Sequence, residues 1–103
     1  LTYTKKNTYK DGLVLKVSKN YMVPVLENGI VIFMGEKSDY GTTVIVEQID
    51  GVDVFYSNIN PIDIKMYDYV EKGQLLGECK SDKLYLVFQK DGFSTMIDTN
   101  NFE

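Results

Sequence analysis

At 103 residues the chain is sized for one domain with one core, and an apolar share of 44% argues against a disordered polymer. Net charge is −4 with the lysines scattered along the sequence, so it shows no basic patch of the kind a nucleic-acid partner would need. A single cysteine excludes an internal disulfide, and the absence of histidine removes the commonest general base and the commonest zinc ligand.

Residues 1–11 are polar, with Lys5, Lys6, Asn7 and Lys10, and read as a lead-in arm pinned by Tyr3 and Tyr9. Residues 12–103 read as a single domain. A short strand over 12–17 is followed by a turn at 18–20. Residues 22–26 form another short strand, in which Pro24 fits only near an edge because it has no N–H for a ladder. Asn28-Gly29 has the composition of a hairpin turn. The apolar run 29–34 has the pattern of a strand buried on both faces, and 35–41 reads as a charged loop.

The strongest local signal comes next. Residues 42–49 and 52–56 are rich in β-branched and aromatic types, and Asp50-Gly51 joins them as a tight hairpin. With side chains alternating, Val44, Val46 and Gln48 share one face, and Thr43, Ile45, Glu47 and Ile49 the other. Residues 58–61 punctuate the chain, and 63–67 read as a weak strand. A turn at 71–73, a short strand at 74–78 and a turn at 80–82 lead to a strand over 83–90. In that strand Leu84, Leu86 and Phe88 share a face. Lys90-Asp91-Gly92 turns the chain again, 93–97 pairs back, and the tail from Asp98 is polar. No stretch of ten residues has helical periodicity. Close-spaced short strands with turns between them predict an all-β, small antiparallel sandwich or barrel.

No apolar run approaches the ~20 residues of a membrane span, and no signal-peptide pattern is present. The sequence opens on Leu1, which reads as a domain cut from a longer protein whose anchor lies upstream. Cys79 reads as a small buried hydrophobe. The carboxylates Asp50, Asp53, Asp63, Asp68, Glu71, Asp82 and Asp91 read as solvated turn residues. The eight tyrosines read as strand residues with polar tips.

Five pieces, in order, resemble motifs of the lysostaphin/LytM-type zinc endopeptidase domain. They are residues 24–31 (PVLENGIV), 35–46 (GEKSDYGTTVIV), 55–59 (FYSNI), 70–77 (VEKGQLLG) and 83–92 (KLYLVFQKDG). The resemblance spans roughly residues 10–98 and implies the family's fold, a barrel-sandwich hybrid of antiparallel strands. The family is known for zinc-dependent cleavage of peptidoglycan cross-bridges. Its zinc ligands are a histidine and an aspartate in the first motif and the second histidine of the last; here those places read Lys10, Val14 and Tyr85. Its two catalytic helper histidines fall on Asn58 and Lys83. Gln48 falls where many members carry a further histidine. The loop before the last motif is cut down to Cys79-Lys80-Ser81-Asp82. Valine has no donor atom, and a lysine ammonium has no free lone pair. The resemblance therefore implies the scaffold without metal or other cofactor, and no enzyme.

Residues 67–77 and 83–87 also resemble the C-terminal domain of the stage IV sporulation protein FA family. That likeness implies a membrane-anchored protein of the outer forespore membrane, with this domain in the intermembrane space. It would help to silence an intramembrane metalloprotease by protein contact until a serine protease cleaves it. The expected partner surface is the former catalytic groove, around Gln48, Asn58, Lys83 and Tyr85. One alternative is a docking domain between the two forespore membranes, like stage II protein Q. Another is a lipoyl- or biotinyl-type carrier, which shares the V-x-x-G-Q-x-L run. Carriers present a lysine at a hairpin tip, whereas Lys65-Met66 lies in a weak strand.

Overall fold

The computed structural model describes residues 1–95. Among these the chain is all-β, with eleven strands in two antiparallel sheets and no helix. The strands are β1 (Lys5–Tyr9), β2 (Gly12–Lys16), β3 (Met22–Pro24), β4 (Gly29–Lys37), β5 (Gly41–Gln48), β6 (Val52–Ser57), β7 (Ile59–Pro61), β8 (Tyr69–Val70), β9 (Leu75–Cys79), β10 (Lys83–Lys90) and β11 (Phe93–Ser94). The large sheet runs β1-β2-β10-β6-β5-β4-β8, with β11 folded back on β10, and the small sheet runs β3-β9-β7.

The β5–β6 hairpin lies at the middle of the large sheet. Its turn places Gly51 at φ 87°, and Asp50 Oδ1 accepts the Val52 N–H at 3.0 Å. Val44 and Val46 are fully buried on the inner face, as are Val54 and Tyr56 of β6, and the opposite-face residues Thr43, Ile45 and Ser57 are buried too. On β10 the inner face is Leu84, Leu86 and Phe88, as read from the sequence. These residues join Leu15, Val23, Ile59, Leu76 and Cys79 in one core that draws on both sheets. Tyr56 crosses that core fully buried, and its phenol oxygen accepts the Leu26 N–H at 2.9 Å. Cys79 is buried, and burial followed by the charge of Glu78 pushes its thiol up to about 11.

Several expectations need correction. Within the stretch read as an arm, residues 5–9 form β1, which pairs with β2 along its whole length. Asn28-Gly29 is no hairpin, because β3 and β4 lie in different sheets. Gly29 is needed for close approach: a Cβ there would strike the backbone carbonyl of Glu47. The run 29–34 is not buried on both faces, since Ile30 is 38% exposed. The expected loop 35–41 is mostly strand, for β4 continues to Lys37. Residues 59–61 form β7, and Pro61 is tolerated there because β7 is an edge strand. Pro24 likewise sits on an edge, in β3. Residues 63–67 are not a strand; Asp63 and Tyr67 both take positive φ, which breaks a ladder. Of the expected return strand 93–97, residues 96 and 97 lie outside the described residues, as does the tail from Asp98. No helix among the described residues is long and apolar enough to cross a membrane.

Candidate functional site

The inner face of the large sheet is spent on the core, so a site has to lie on the outer face. There the register decides which side chains meet. Lys83 pairs with Lys16 and Tyr85 with Val14, while Lys16 pairs with Lys5 and Val14 with Asn7. Two rows therefore cross three strands: Lys5, Lys16, Lys83, and beneath it Asn7, Val14, Tyr85. With Tyr9 they line a cavity of about 310 Å³.

Aromatic rings form the floor of this cavity. Tyr9 and Tyr85 stack with centroids 4.8 Å apart, and Tyr40 approaches them at 6.0 Å and 6.4 Å. Tyr40 reaches the group from the β4–β5 turn, where its N–H bonds the Lys37 carbonyl at 3.1 Å. The close seating of β2 on β10 depends on Gly12, whose added Cβ would collide with the Leu86 carbonyl.

Next along the same row the sheet is held by buried hydroxyls. Tyr85 pairs with Ser57, and Ser57 with Thr43. Their Oγ atoms lie 2.8 Å apart, fully buried. Asn58 follows at φ 69°, in the left-handed region that asparagine tolerates. Its Nδ2 donates to the Lys83 carbonyl at 2.8 Å and to Ser81 Oγ at 2.9 Å. Asn58 thus clamps the β9–β10 turn to β10.

Of the four residues expected in the groove, Lys83 and Tyr85 line the cavity, and Asn58 lies beside it, tied to the Lys83 carbonyl. Gln48 does not. It lies on the inner face, five residues along β5 from Thr43, or roughly 16 Å at the usual strand rise. Its amide is bound to Asp50 at 3.1 Å and 3.3 Å. The sequence reading placed it by motif order; face and distance remove it. The reading also missed Lys5, Asn7 and Lys16, because only the pairing of β1 with β2 and of β2 with β10 brings them to the cavity.

The places that the resemblance assigns to zinc ligands can now be tested as a donor set. Val14 stands opposite Tyr85, and Lys10 leaves the β1–β2 turn towards Asp39, with Nζ 3.7 Å from Oδ1. A valine, an ammonium and a phenol stacked on another ring do not fit zinc. Among the described residues no group of three or more His, Cys, Asp or Glu side chains could hold a metal.

The two-sheet antiparallel domain has the fold of LytM-type peptidases. Residues 8–94 match the model of Peptidase family M23. The chain belongs to that family. It is 31% identical over 99 residues to stage IV sporulation protein FA of Bacillus subtilis (strain 168), covering 90% of this chain and 37% of that protein. The chain thus spans little more than a third of this relative's length. Lysostaphin from Staphylococcus simulans superposes with a TM-score of 0.78 at 21% identity, covering 97% of this chain and 48% of that one. A mutant catalytic domain of the prophage-encoded M23 protein EnpA from Enterococcus faecalis gives 0.72 at 20% identity, covering 86% and 76%. At such identities the two structures establish the fold alone.

Proposed function

We propose that this chain is a non-catalytic interaction domain of a sporulation protein, acting by contact with a protein partner. The observation that carries this reading is the replacement of the ligand set. The family's frame is retained, while Lys10, Val14 and Tyr85 stand in the places that the resemblance assigns to ligands and Tyr9 and Tyr85 line the groove. Without ligands there is no metal-activated water to attack a peptide bond. A concave face rich in tyrosine is instead suited to protein contact.

The likeness to stage IV sporulation protein FA supports a finer version. In it the parent protein is anchored in the outer forespore membrane, the domain lies in the intermembrane space, and its partner is an intramembrane metalloprotease complex. Asn58, Lys83 and Tyr85 form the contact surface. Capture from sporulating cells with this domain as bait tests both levels. The expected catch is a membrane protease complex, retained by the unaltered domain and lost with Tyr85→Ala. Equal capture by Tyr85→Ala and by Asn58→Ala would reject the groove as the contact surface.

A further inference from the structure

We propose that the outer face binds an extended acidic segment of the partner protein, lying across β1, β2 and β10. This rests on the reading of the groove as a protein-contact site and gives that partner a chemistry.

The lysine row is the first observation. Lys5, Lys16 and Lys83 occupy one register across three adjacent strands, in a chain whose net charge is −4. Like charges directly opposite each other weaken a sheet, so the row works against folding. Among the described residues its only ion pair is Lys16 with Asp82, at 3.7 Å. Lys5 and Lys83 have none with a described residue, and all three side chains are exposed.

Shape is the second observation. The row borders a cavity of about 310 Å³ floored by Tyr9, Val14 and Tyr85, with the Asn7 amide on its wall. Such a hollow takes one or two side chains and gives them an aromatic surface. A bilayer would meet a broader and flatter patch. The spacing fits as well: neighbouring strands are ~4.8 Å apart, so the row spans ~10 Å. Alternate side chains of an extended segment share one face about 7 Å apart, so two carboxylates on that face reach lysines of the row while a further side chain of the same face enters the cavity.

The test uses a fluorescein-labelled peptide of alternating glutamate and glycine, with its glutamine counterpart as control, read by fluorescence anisotropy at low salt. Two charge-matched variants are compared. One removes the row (Lys5→Gln, Lys16→Gln, Lys83→Gln). The other removes three exposed lysines elsewhere (Lys19→Gln, Lys65→Gln, Lys72→Gln). Circular dichroism checks that each is folded. The glutamate peptide is expected to bind, the glutamine peptide not. The row variant is expected to lose at least about tenfold in affinity, the other variant little, and binding should weaken with salt. Equal weakening by both variants, equal binding of the glutamine peptide, or binding of phosphatidylglycerol vesicles without binding of the peptide would overturn the proposal. The two readings fail separately. If Tyr85→Ala loses the cellular partner while the row variant keeps it, the groove reading stands and the acidic segment falls. If both variants keep it, both readings fall.

Discussion

Val14 and Tyr85 stand opposite each other across the β2–β10 ladder, and Tyr85 stacks on Tyr9 at 4.8 Å. An apolar stem and a packed ring therefore hold two places that the resemblance to the family assigns to metal donors. The stack also ties β1 to β10 over β2, so Tyr85 has a structural duty apart from the proposed contact. Tyr85→Ala is expected to lower stability by about 1–2 kcal/mol, an aromatic pair plus part of a half-buried ring. At this size that is a fall in Tm of several degrees. An unchanged thermal melt would show that the cluster contributes nothing to the fold.

The Thr43–Ser57 pair offers a cleaner energetic test. Each hydroxyl is the other's partner in a fully buried place, and Thr43 Oγ1 also reaches the Gly41 carbonyl at 3.0 Å. Removing the Thr43 hydroxyl takes away the partner of the buried Ser57 hydroxyl, so Thr43→Val is expected to cost about 1–3 kcal/mol, and Ser57→Ala less, because Thr43 still reaches Gly41. The double change Thr43→Val with Ser57→Ala is expected to cost less than the sum of the single changes, because the two residues are coupled. Urea titrations of all four proteins measure this; strict additivity would refute the coupling.

Tyr56→Phe removes the acceptor of the Leu26 N–H and changes little else in the core. The unpaired amide is expected to cost about 1–3 kcal/mol. Faster hydrogen exchange at Leu26 is the local signature, and unchanged protection there would contradict the assignment.

Asp53 sets a pH dependence. Desolvation first, and then the charge of Glu47 opposite it, raise its carboxyl above the ordinary range. Its Oδ1 is buried without a hydrogen-bond partner among the described residues. The folded state therefore holds this proton more tightly than the unfolded chain does. Its contribution to stability falls as pH rises from the ordinary carboxylate value through the raised one, and is recovered on acidification. Asp53→Asn is expected to stabilise the domain at neutral pH by about 0.2–1 kcal/mol, the range for removing a like-charge cross-strand pair. The gain should shrink as pH falls through that window. Denaturant midpoints for both proteins across the acid range check it, and a gain that grows on acidification would have the wrong sign.

Much of the fold was legible where a local rule was also the winning one. The β5–β6 hairpin and β10 follow from alternation and Asp50-Gly51, because their inner faces meet a core that rewards the pattern. Asn28-Gly29 misled because the same dipeptide serves two needs: positive φ in a turn, or a missing Cβ where strands crowd. Here Gly29 serves the second. β7 was hidden by Pro61, which a strand excludes only where both edges are paired. In the site, the strands that carry Val14 and Tyr85 could be placed by motif order, since each motif is local to one strand. The lysine row could not. Lys5, Lys16 and Lys83 are far apart in sequence and align only through the register of two separate strand pairs. Gln48 failed for the complementary reason: motif order locates a strand but not the end or face of it that matters.

The most direct measurement is metal content and hydrolysis on the same purified sample. After incubation with zinc and desalting, elemental analysis should find far less than one zinc per chain, and peptidoglycan fragments should remain uncut. Stoichiometric zinc together with cleavage of those fragments would contradict the account.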